Sequence, residues 1–95
     1  MELKFTITYH PEVVSADIPN LPKVWRLKIQ SAIEKKLVVS PEIFGKPLRR
    51  SLQGYRRLRV GDYRVVYRIE KKTIKIFIIQ HRSVVYTHNI ENRLK

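Results

Sequence analysis

Apolar and polar positions alternate strictly between residues 3 and 9. The apolar positions are Leu3, Phe5, Ile7 and Tyr9, and the positions between them are Lys4, Thr6 and Thr8. A period of two places neighbouring side chains on opposite faces of an extended chain. The segment is therefore predicted to be a strand with one buried face.

From residue 21 the apolar positions recur at the spacing of a helix. They are Leu21, Val24, Trp25, Ile29, Ala32, Ile33 and Leu37, and the polar positions opposite them are Lys23, Arg26, Gln30 and Glu34. This pattern predicts an amphipathic helix of about four turns that buries Trp25 in the core. Asn20 is predicted to be its N-cap, with Pro22 in the first turn. A shorter helix is predicted to run from Pro11 to Asp17.

The second half of the chain is predicted to form three strands joined by tight turns. The strands are Tyr55 to Val60, Tyr63 to Glu70 and Thr73 to Arg82, and the turns are Gly61-Asp62 and Lys71-Lys72. The third strand contains the run from Ile74 to Ile79, which is apolar on both faces, as expected for a central strand. The tail from Ser83 to Lys95 is expected to end in a short helix.

Together these elements predict one α+β domain spanning residues 1–95. The order is β-α-α-β-β-β, with a small, mainly antiparallel sheet and the two N-terminal helices packed on one face. A hydrophobic fraction of 43% indicates a folded domain, and the absence of cysteine excludes disulfides and thiolate metal sites. The segment from Met1 to His10 lacks the apolar core of a signal peptide. The longest apolar run, Ile76 to Ile79, is too short to cross a bilayer, so a cytoplasmic location is expected.

The charge of the chain points to a class of ligand. Twenty Lys and Arg against eight Asp and Glu give a formal net charge of +12, which is typical of a domain that binds a polyanion. Eight of the cations, seven of them arginines, lie between Lys46 and Arg68, where the only acid is Asp62. A guanidinium group can bind two phosphate oxygens at once. The residues predicted to bind RNA are Lys46, Arg49, Arg50, Arg56, Arg59, Arg68 and His81.

The period of two assigns several of these arginines to one face of the sheet. Because Leu58 and Val65 are predicted to point into the core, the basic residues beside them point away from it. The arginines of this outer face are Arg57, Arg59, Arg64 and Arg68. Like charges on adjacent strands repel each other, so we expect an open face that is stabilised by a bound anion.

Few residues of the chain suit the common catalytic arrangements. The three histidines, His10, His81 and His88, lack metal-ligand spacing, and the acids are scattered. The chain has neither a glycine-rich phosphate loop nor a nucleophile elbow. An enzyme built from it would use cationic side chains, a tyrosine and one histidine, without a metal or cofactor. Such groups suit attack of an RNA 2′-hydroxyl on the adjacent phosphate, because the substrate supplies the nucleophile.

Two segments of the chain resemble the RelE/ParE toxin superfamily. They are Leu52-Gln53-Gly54-Tyr55-Arg56-Arg57-Leu58-Arg59-Val60-Gly61-Asp62-Tyr63-Arg64-Val65-Val66-Tyr67-Arg68-Ile69 and His81-Arg82-Ser83-Val84-Val85-Tyr86. With the preceding Gly45-Lys46-Pro47-Leu48 turn and the predicted order of elements, the resemblance covers nearly the whole chain. It implies a toxin of a type II toxin–antitoxin system. RelE-like members bind the ribosome and cleave mRNA in the decoding site, leaving a 2′,3′-cyclic or 3′-phosphate end.

The resemblance also implies the roles of particular residues. Arg57 matches a basic position on the strand before the hairpin, and Arg64 matches the arginine that contacts the scissile phosphate. Arg82 matches the arginine near the end of the third strand, and Tyr86 matches the C-terminal tyrosine. These four are the expected catalytic residues. His81 is an alternative for moving the proton, because histidine titrates near neutral pH.

The resemblance implies a RelB-like antitoxin, the ribosome and mRNA as partners. The chain departs from the pattern at Tyr55, where some RelE proteins carry a lysine, so its cationic set is incomplete. Two alternatives stay open, a ParE-like inhibitor of DNA gyrase and a non-catalytic RNA-binding module. The combination of Arg64, Arg82 and Tyr86 favours the nuclease over the gyrase inhibitor, and an RNA cleavage assay during translation separates all three.

Overall fold

The computed structural model describes residues 5–49, 52–85 and 90–94. Within them the chain forms a five-stranded mixed sheet in the order β1-β5-β4-β3-β2. The strands are β1 (Thr6–Tyr9), β2 (Lys46–Pro47), β3 (Arg56–Val60), β4 (Tyr63–Glu70) and β5 (Thr73–His81). β1 runs parallel to β5, and the other three pairings are antiparallel. The predicted α+β fold with a mainly antiparallel sheet is confirmed, and β2 is a strand that the sequence pattern did not predict.

Short helices connect and cover this sheet. The first is a π-helical turn, Val13–Asp17, and the longest is α1 (Lys23–Ala32), which continues as a π-helical segment, Ile33–Leu37. Two further helices, α2 (Pro41–Phe44) and α3 (Ile90–Arg93), have four residues each. Both predicted N-terminal helices and the C-terminal helix are confirmed, whereas α2 is an addition to the predicted order. The predicted N-cap at Asn20 is wrong, because Pro22 occupies the N-cap position with an extended ψ of 146°.

The main core lies between α1 and one face of the sheet, which we call the helix face. Its buried residues include Ile29 and Ile33 from the helical side and Leu58, Val65 and Tyr67 from the strands. Trp25 packs against this cluster and against the ring of Tyr63, with the ring centroids 5.3 Å apart. The alternation predicted for β3 and β4 is therefore confirmed, as is the placement of Trp25 against the core.

The opposite side of the sheet, which we call the second face, carries a smaller core. Val66 and Ile78 from the strands are buried there with Val85 and Leu94 from the C-terminal tail. Tyr55 also packs against this cluster, and its hydroxyl donates to the carbonyl of Leu94 at 2.9 Å. Because both faces of β5 are covered, its apolar run contributes to two cores, as a central strand should.

The turn between β3 and β4 is held close to α1. Gly61 has a φ of +59°, in the left-handed region that favours glycine. A Cβ atom at this position would lie 2.3 Å from the indole ring of Trp25. The predicted hairpin turn is therefore confirmed, and the turn also packs against α1.

Candidate nucleic-acid interface

Three arginines meet on the second face near the β3–β4 turn. In the register of these strands Arg59 lies directly opposite Arg64, and Arg57 lies opposite Val66, a residue of the second-face cluster. Side chains directly opposite on antiparallel strands have Cβ atoms about 4.5–5.5 Å apart. Two neighbouring strands thus bring three guanidinium groups onto one face, as the period of two predicted.

Arg64 is buried, and its predicted position on an open face is wrong. Only 7% of the residue is exposed. One guanidinium nitrogen, Nη1, donates to the backbone carbonyls of Gly61 and Tyr63, each at 3.1 Å. Strand alternation predicted the face correctly, but it carries no information on what packs over that face. Arg64 therefore stabilises the hairpin turn through its hydrogen bonds and adds a buried positive charge next to Arg59.

Arg82 approaches the same turn from the end of β5. Its backbone nitrogen donates to the carbonyl of Asp62 at 2.7 Å. Its Nε lies 3.6 Å from a carboxylate oxygen of Asp62, and both side chains are 63% exposed. An ion pair this exposed contributes about 0–1 kcal/mol, so the guanidinium of Arg82 can exchange Asp62 for another anion at little cost. Arg59, Arg64 and Arg82 therefore surround one end of the β3–β4 hairpin.

Arg57 has a buried donor without an acceptor. No hydrogen-bond acceptor in the described part of the chain reaches its Nε, although this atom is shielded from solvent. A buried unsatisfied polar atom costs about 1–3 kcal/mol. Within residues 5–49, 52–85 and 90–94, no carboxylate pairs with Arg57 or Arg59. These two arginines are the cations of the second face best placed to bind a phosphate.

The structure places three of the predicted RNA-binding residues away from this group. Arg56 lies on the helix face and donates to the carbonyls of Glu42 and Gly45 at 3.1 and 3.0 Å. Arg68 forms an ion pair with Glu70, and its guanidinium lies 5.4 Å from the ring centroid of Tyr55. His81 packs edge-on against the ring of Tyr63, on the helix face, with the ring centroids 5.3 Å apart.

The environment of His81 also restricts its chemistry. Its Nδ1 accepts a hydrogen bond from the backbone nitrogen of Ser83 at 3.1 Å. The neutral imidazole must then carry its proton on Nε2, an assignment that follows from the hydrogen-bond pattern. The neutral His81 can therefore donate a hydrogen bond from Nε2, while its Nδ1 is occupied.

The other predicted site residues lie in loops or outside the described residues. Lys46 is exposed in β2, directly opposite Arg57 in the register, and Arg49 is exposed in the loop that follows. Arg50 and Tyr86 are outside the described residues. Among those residues, no cluster of three or more histidine and acidic side chains has the arrangement of a metal site.

Two residues near this group were missed by the sequence reasoning. Lys36 and Phe44 line a cavity of about 140 Å³ together with Lys46, Arg57, Leu58 and Arg59. Lys36 was one of several lysines on a predicted helix, and Phe44 lies between that helix and the predicted strands, where no element was predicted. The only available signal was Phe44 itself, a large apolar residue beside the Gly45-Lys46-Pro47 turn.

Comparisons with known proteins agree with this architecture. A family model described as the ParE toxin of the type II toxin–antitoxin system parDE matches residues 13–86. The chain belongs to this toxin family. Toxin RelE of Mycobacterium tuberculosis is 34% identical over 86 residues, which cover 85% of this chain and 89% of that protein. Toxin RelG of the same organism is 48% identical over 44 residues, which cover 44% of this chain and 51% of that protein.

Solved structures show the same relationship. A chain of the RelBE2 toxin–antitoxin complex of Mycobacterium tuberculosis matches with a TM-score of 0.77 and 31% identity, covering 83% of this chain and 99% of that one. The conserved hypothetical protein HP0894 of Helicobacter pylori matches with a TM-score of 0.61 at 13% identity, over 88% of this chain and 99% of that one. The second likeness shows the fold alone. The resemblance to the RelE/ParE superfamily is thus confirmed. No helix among the described residues is long and apolar enough to span a membrane.

Proposed function

We propose that this toxin is a metal-independent endoribonuclease that cleaves mRNA on the ribosome. The observation that carries the proposal is the direct opposition of Arg59 and Arg64 beside Arg57 on the second face. Such a like-charge group lowers stability in the free protein, and a phosphate placed against it would relieve the repulsion. The relationship to Toxin RelE, at 34% identity over most of both chains, supports the nuclease over a general RNA-binding module.

The proposed reaction uses a nucleophile that belongs to the substrate. The 2′-hydroxyl attacks the adjacent phosphorus, a P–O bond forms, and the bond to the 5′-oxygen of the next nucleotide breaks. A 2′,3′-cyclic phosphate and a 5′-hydroxyl result, after one proton leaves the 2′-hydroxyl and one reaches the departing oxygen. The protein needs to align these groups and stabilise the negative charge of the phosphorane.

We assign the described residues by their position around the hairpin, and Tyr86 by the resemblance to the family. Arg57, with its unsatisfied Nε, binds the phosphate from β3, and Arg82 binds it from the end of β5 after releasing Asp62. Arg64 contributes charge from beneath, as a buried group already fixed by two backbone carbonyls. Tyr86 is the proposed proton carrier, and Nε2 of His81 is the alternative. Arginine stays protonated, so the arginines act through charge.

The proposed partner in the resting state is an antitoxin. The solved relative at 31% identity comes from a toxin–antitoxin complex, and a domain of charge +12 would otherwise bind cellular RNA without control. We therefore propose an acidic or amphipathic antitoxin, RelB-like in character, that covers the basic surface and becomes ordered when it binds.

The test is cleavage of a defined mRNA programmed into ribosomes, with the products mapped by primer extension. We expect cleavage at one position in the decoding site and a 2′,3′-cyclic phosphate end. A single 2′-deoxy substitution on the 5′ side of the cleaved bond should abolish it, because the nucleophile is removed. EDTA-sensitive cleavage of naked RNA would contradict the mechanism. Inhibition of gyrase supercoiling by a protein that leaves ribosome-bound mRNA intact would identify the ParE-like alternative instead.

A further inference from the structure

The outer edge of β3 is open beyond Arg57. β2 pairs only with Arg56 and Arg57, and no described strand continues this pairing alongside Leu58–Val60. A cavity of about 140 Å³ opens at this edge, lined by Lys36, Phe44, Lys46, Arg57, Leu58 and Arg59. Leu58 points to the helix face, whereas Arg57 and Arg59 belong to the second face. Residues of both faces of the sheet thus line the cavity.

The lining of this edge cavity is strongly cationic. Four of its six side chains carry a positive charge, and none carries a negative one. A liquid water molecule occupies about 30 Å³, so a volume of this size accommodates a phosphate group. Arg57, whose Nε has no acceptor among the described residues, is one of the residues of this lining. An anion in the cavity would supply the negative charge that the lining residues lack.

Phe44 gives the cavity a second chemical character. The residue is 45% exposed at the end of α2, and Nζ of Lys36 lies 5.8 Å from the centre of its ring. An exposed aromatic ring among cations is the arrangement by which proteins bind single-stranded nucleic acid, because the base stacks on the ring while the cations bind the backbone. An acidic peptide would use the cations and leave the flat face of the ring without a matching group.

We propose that the edge cavity is a subsite for a nucleotide of single-stranded RNA that flanks the cleaved phosphate. The base stacks on Phe44, and its phosphate is bound between Lys36 and Lys46. This subsite rests on the proposed nuclease function. Arg57 belongs to both the cavity and the second face, so one strand of RNA can pass over the β3 edge from the reacting phosphate into the subsite.

The test measures binding of an RNA that cannot be cleaved. The probe is a 2′-O-methyl hexanucleotide with 2-aminopurine at one position, whose fluorescence falls when the base stacks. We expect Phe44→Leu to weaken binding by about 5- to 150-fold, as loss of a stacking platform does, and to abolish the quenching at one position of the probe. Lys36→Gln should lower the slope of log K against log salt by about 0.7, the loss of one contact to a single-stranded phosphate.

Two matched variants serve as controls. Lys35→Gln makes the same charge change one residue away, on an exposed side chain that does not line the cavity. Ile43→Ala removes an apolar side chain that is 75% exposed beside Phe44. Both should bind the probe as the wild type does. Thermal melts of all four variants establish that each one is folded before its affinity is compared.

The outcomes separate this subsite from the proposed nuclease activity. If Phe44→Leu and Lys36→Gln bind the probe like their controls, the subsite is wrong, whatever the wild type does on ribosomes. If they bind it weakly while wild-type protein leaves ribosomal mRNA uncut, the edge cavity binds single-stranded RNA but flanks no cleaved phosphate, and the nuclease proposal fails. If Phe44→Leu retains RNA binding but loses a protein that co-purifies with the wild type, the surface binds a protein partner and the RNA subsite is overturned.

Discussion

The hydroxyl of Tyr67 shows how one buried polar atom ties α2 to the sheet. The residue is fully buried, and its hydroxyl donates to the carbonyl of Pro41 at 2.6 Å. Burial raises the pKa of Tyr67 to about 12. A Cβ atom on Gly45 would lie 1.7 Å from this hydroxyl, so glycine is needed there for lack of space. The Gly45-Lys46-Pro47 turn thereby positions Lys46 at the cavity.

We expect Tyr67→Phe to lower the free energy of unfolding by about 1–3 kcal/mol, because the buried carbonyl of Pro41 loses its donor. The pH dependence gives a sharper signature. A tyrosine whose pKa is raised in the folded protein contributes stability below its unfolded pKa of about 10, and this contribution is lost as the pH rises towards 12. The difference between wild type and variant should therefore be constant up to pH 9 and shrink at pH 11. Urea denaturation at the two pH values measures it, and a constant difference would contradict the assignment.

Arg64 supports a prediction on both stability and catalysis. Arg64→Ala should lower the free energy of unfolding by about 1–3 kcal/mol, because two hydrogen bonds to the carbonyls of Gly61 and Tyr63 are lost, each contributing about 0.5–1.5 kcal/mol. It should also slow cleavage by roughly a hundredfold, the cost of losing one charge that stabilises the transition state. Single-turnover cleavage on saturating ribosomes, at a temperature where the variant is folded, measures the second effect.

The matched control for Arg64 is Arg49→Ala, on an exposed loop. It should weaken binding in a salt-dependent way and leave the rate in the bound state nearly unchanged. If Arg64→Ala cleaves at the wild-type rate once bound, Arg64 is a structural residue of the hairpin alone.

At the scale of single residues, the sequence predicted which face of the sheet a side chain lies on better than it predicted how deeply that side chain is buried. The alternation around Leu58 and Val65 put Arg57, Arg59 and Arg64 on one face, as observed. The burial of Arg64 could not be predicted, because alternation gives the face of a side chain and not what covers it. The second-face core itself is completed by Val85 and Leu94 from the distant tail. No local period connects those residues to β4.

At the scale of elements, an ion pair binds the part of the β5 edge that no described strand covers. β1 pairs with β5 only as far as Ile76, so the edge of β5 is uncovered beyond it. There the buried Asp17 accepts from the backbone nitrogen of Ile79 at 2.9 Å, and Arg93 donates to the carbonyl of Phe77 at 3.0 Å. Asp17 and Arg93 also bind each other at 2.7 Å. This contact holds α3 against the sheet.

We expect Asp17→Asn to lower the free energy of unfolding by about 3 kcal/mol, because it leaves Arg93 partly buried without its partner charge. Hydrogen exchange should accelerate at the amides of residues 90–94 before the rest of the chain. Glu12→Gln is the control, since Glu12 contacts Arg93 at 3.4 Å from a side chain that is 58% exposed. Its cost should stay below about 1 kcal/mol. Equal stability of the two variants would show that the buried pair does not hold α3.

The regular elements were predictable, and the irregular ones were not. β3, β4 and β5 follow clear periods and tight turns, and their predicted limits agree closely with those observed. β2 has two residues, one of them a proline, so its pairing depends on β3 and not on its own pattern. A register shift in the β4–β5 pairing at Val66 and Tyr67 puts the neighbouring Phe77 and Ile78 against the same core. A strict period of two would place these two neighbouring side chains on opposite faces of the sheet.

At the scale of the whole molecule, the excess of positive charge opposes folding. The formal net charge is +12, and four acids, Glu12, Asp17, Asp62 and Glu70, form the ion pairs among the described residues. Self-repulsion of this size destabilises the compact state. Its local maximum is expected where Arg59 faces Arg64. A bound polyanion should therefore stabilise the protein as a whole.

We expect Arg59→Thr to raise the melting temperature in the absence of any polyanion. Removing a like charge directly opposite Arg64 gains about 0.5 kcal/mol, which corresponds to about 2–4 °C for a domain of this size. Polyphosphate should raise the melting temperature of the wild type, and this rise should be smaller in Arg59→Thr, because part of the anion site is lost. Lys35→Gln removes the same charge away from the second face and should respond to polyphosphate as the wild type does. If Arg59→Thr melts below the wild type and is stabilised equally by polyphosphate, the second face is not the anion-binding surface. The RNA would then have to bind another part of this basic molecule.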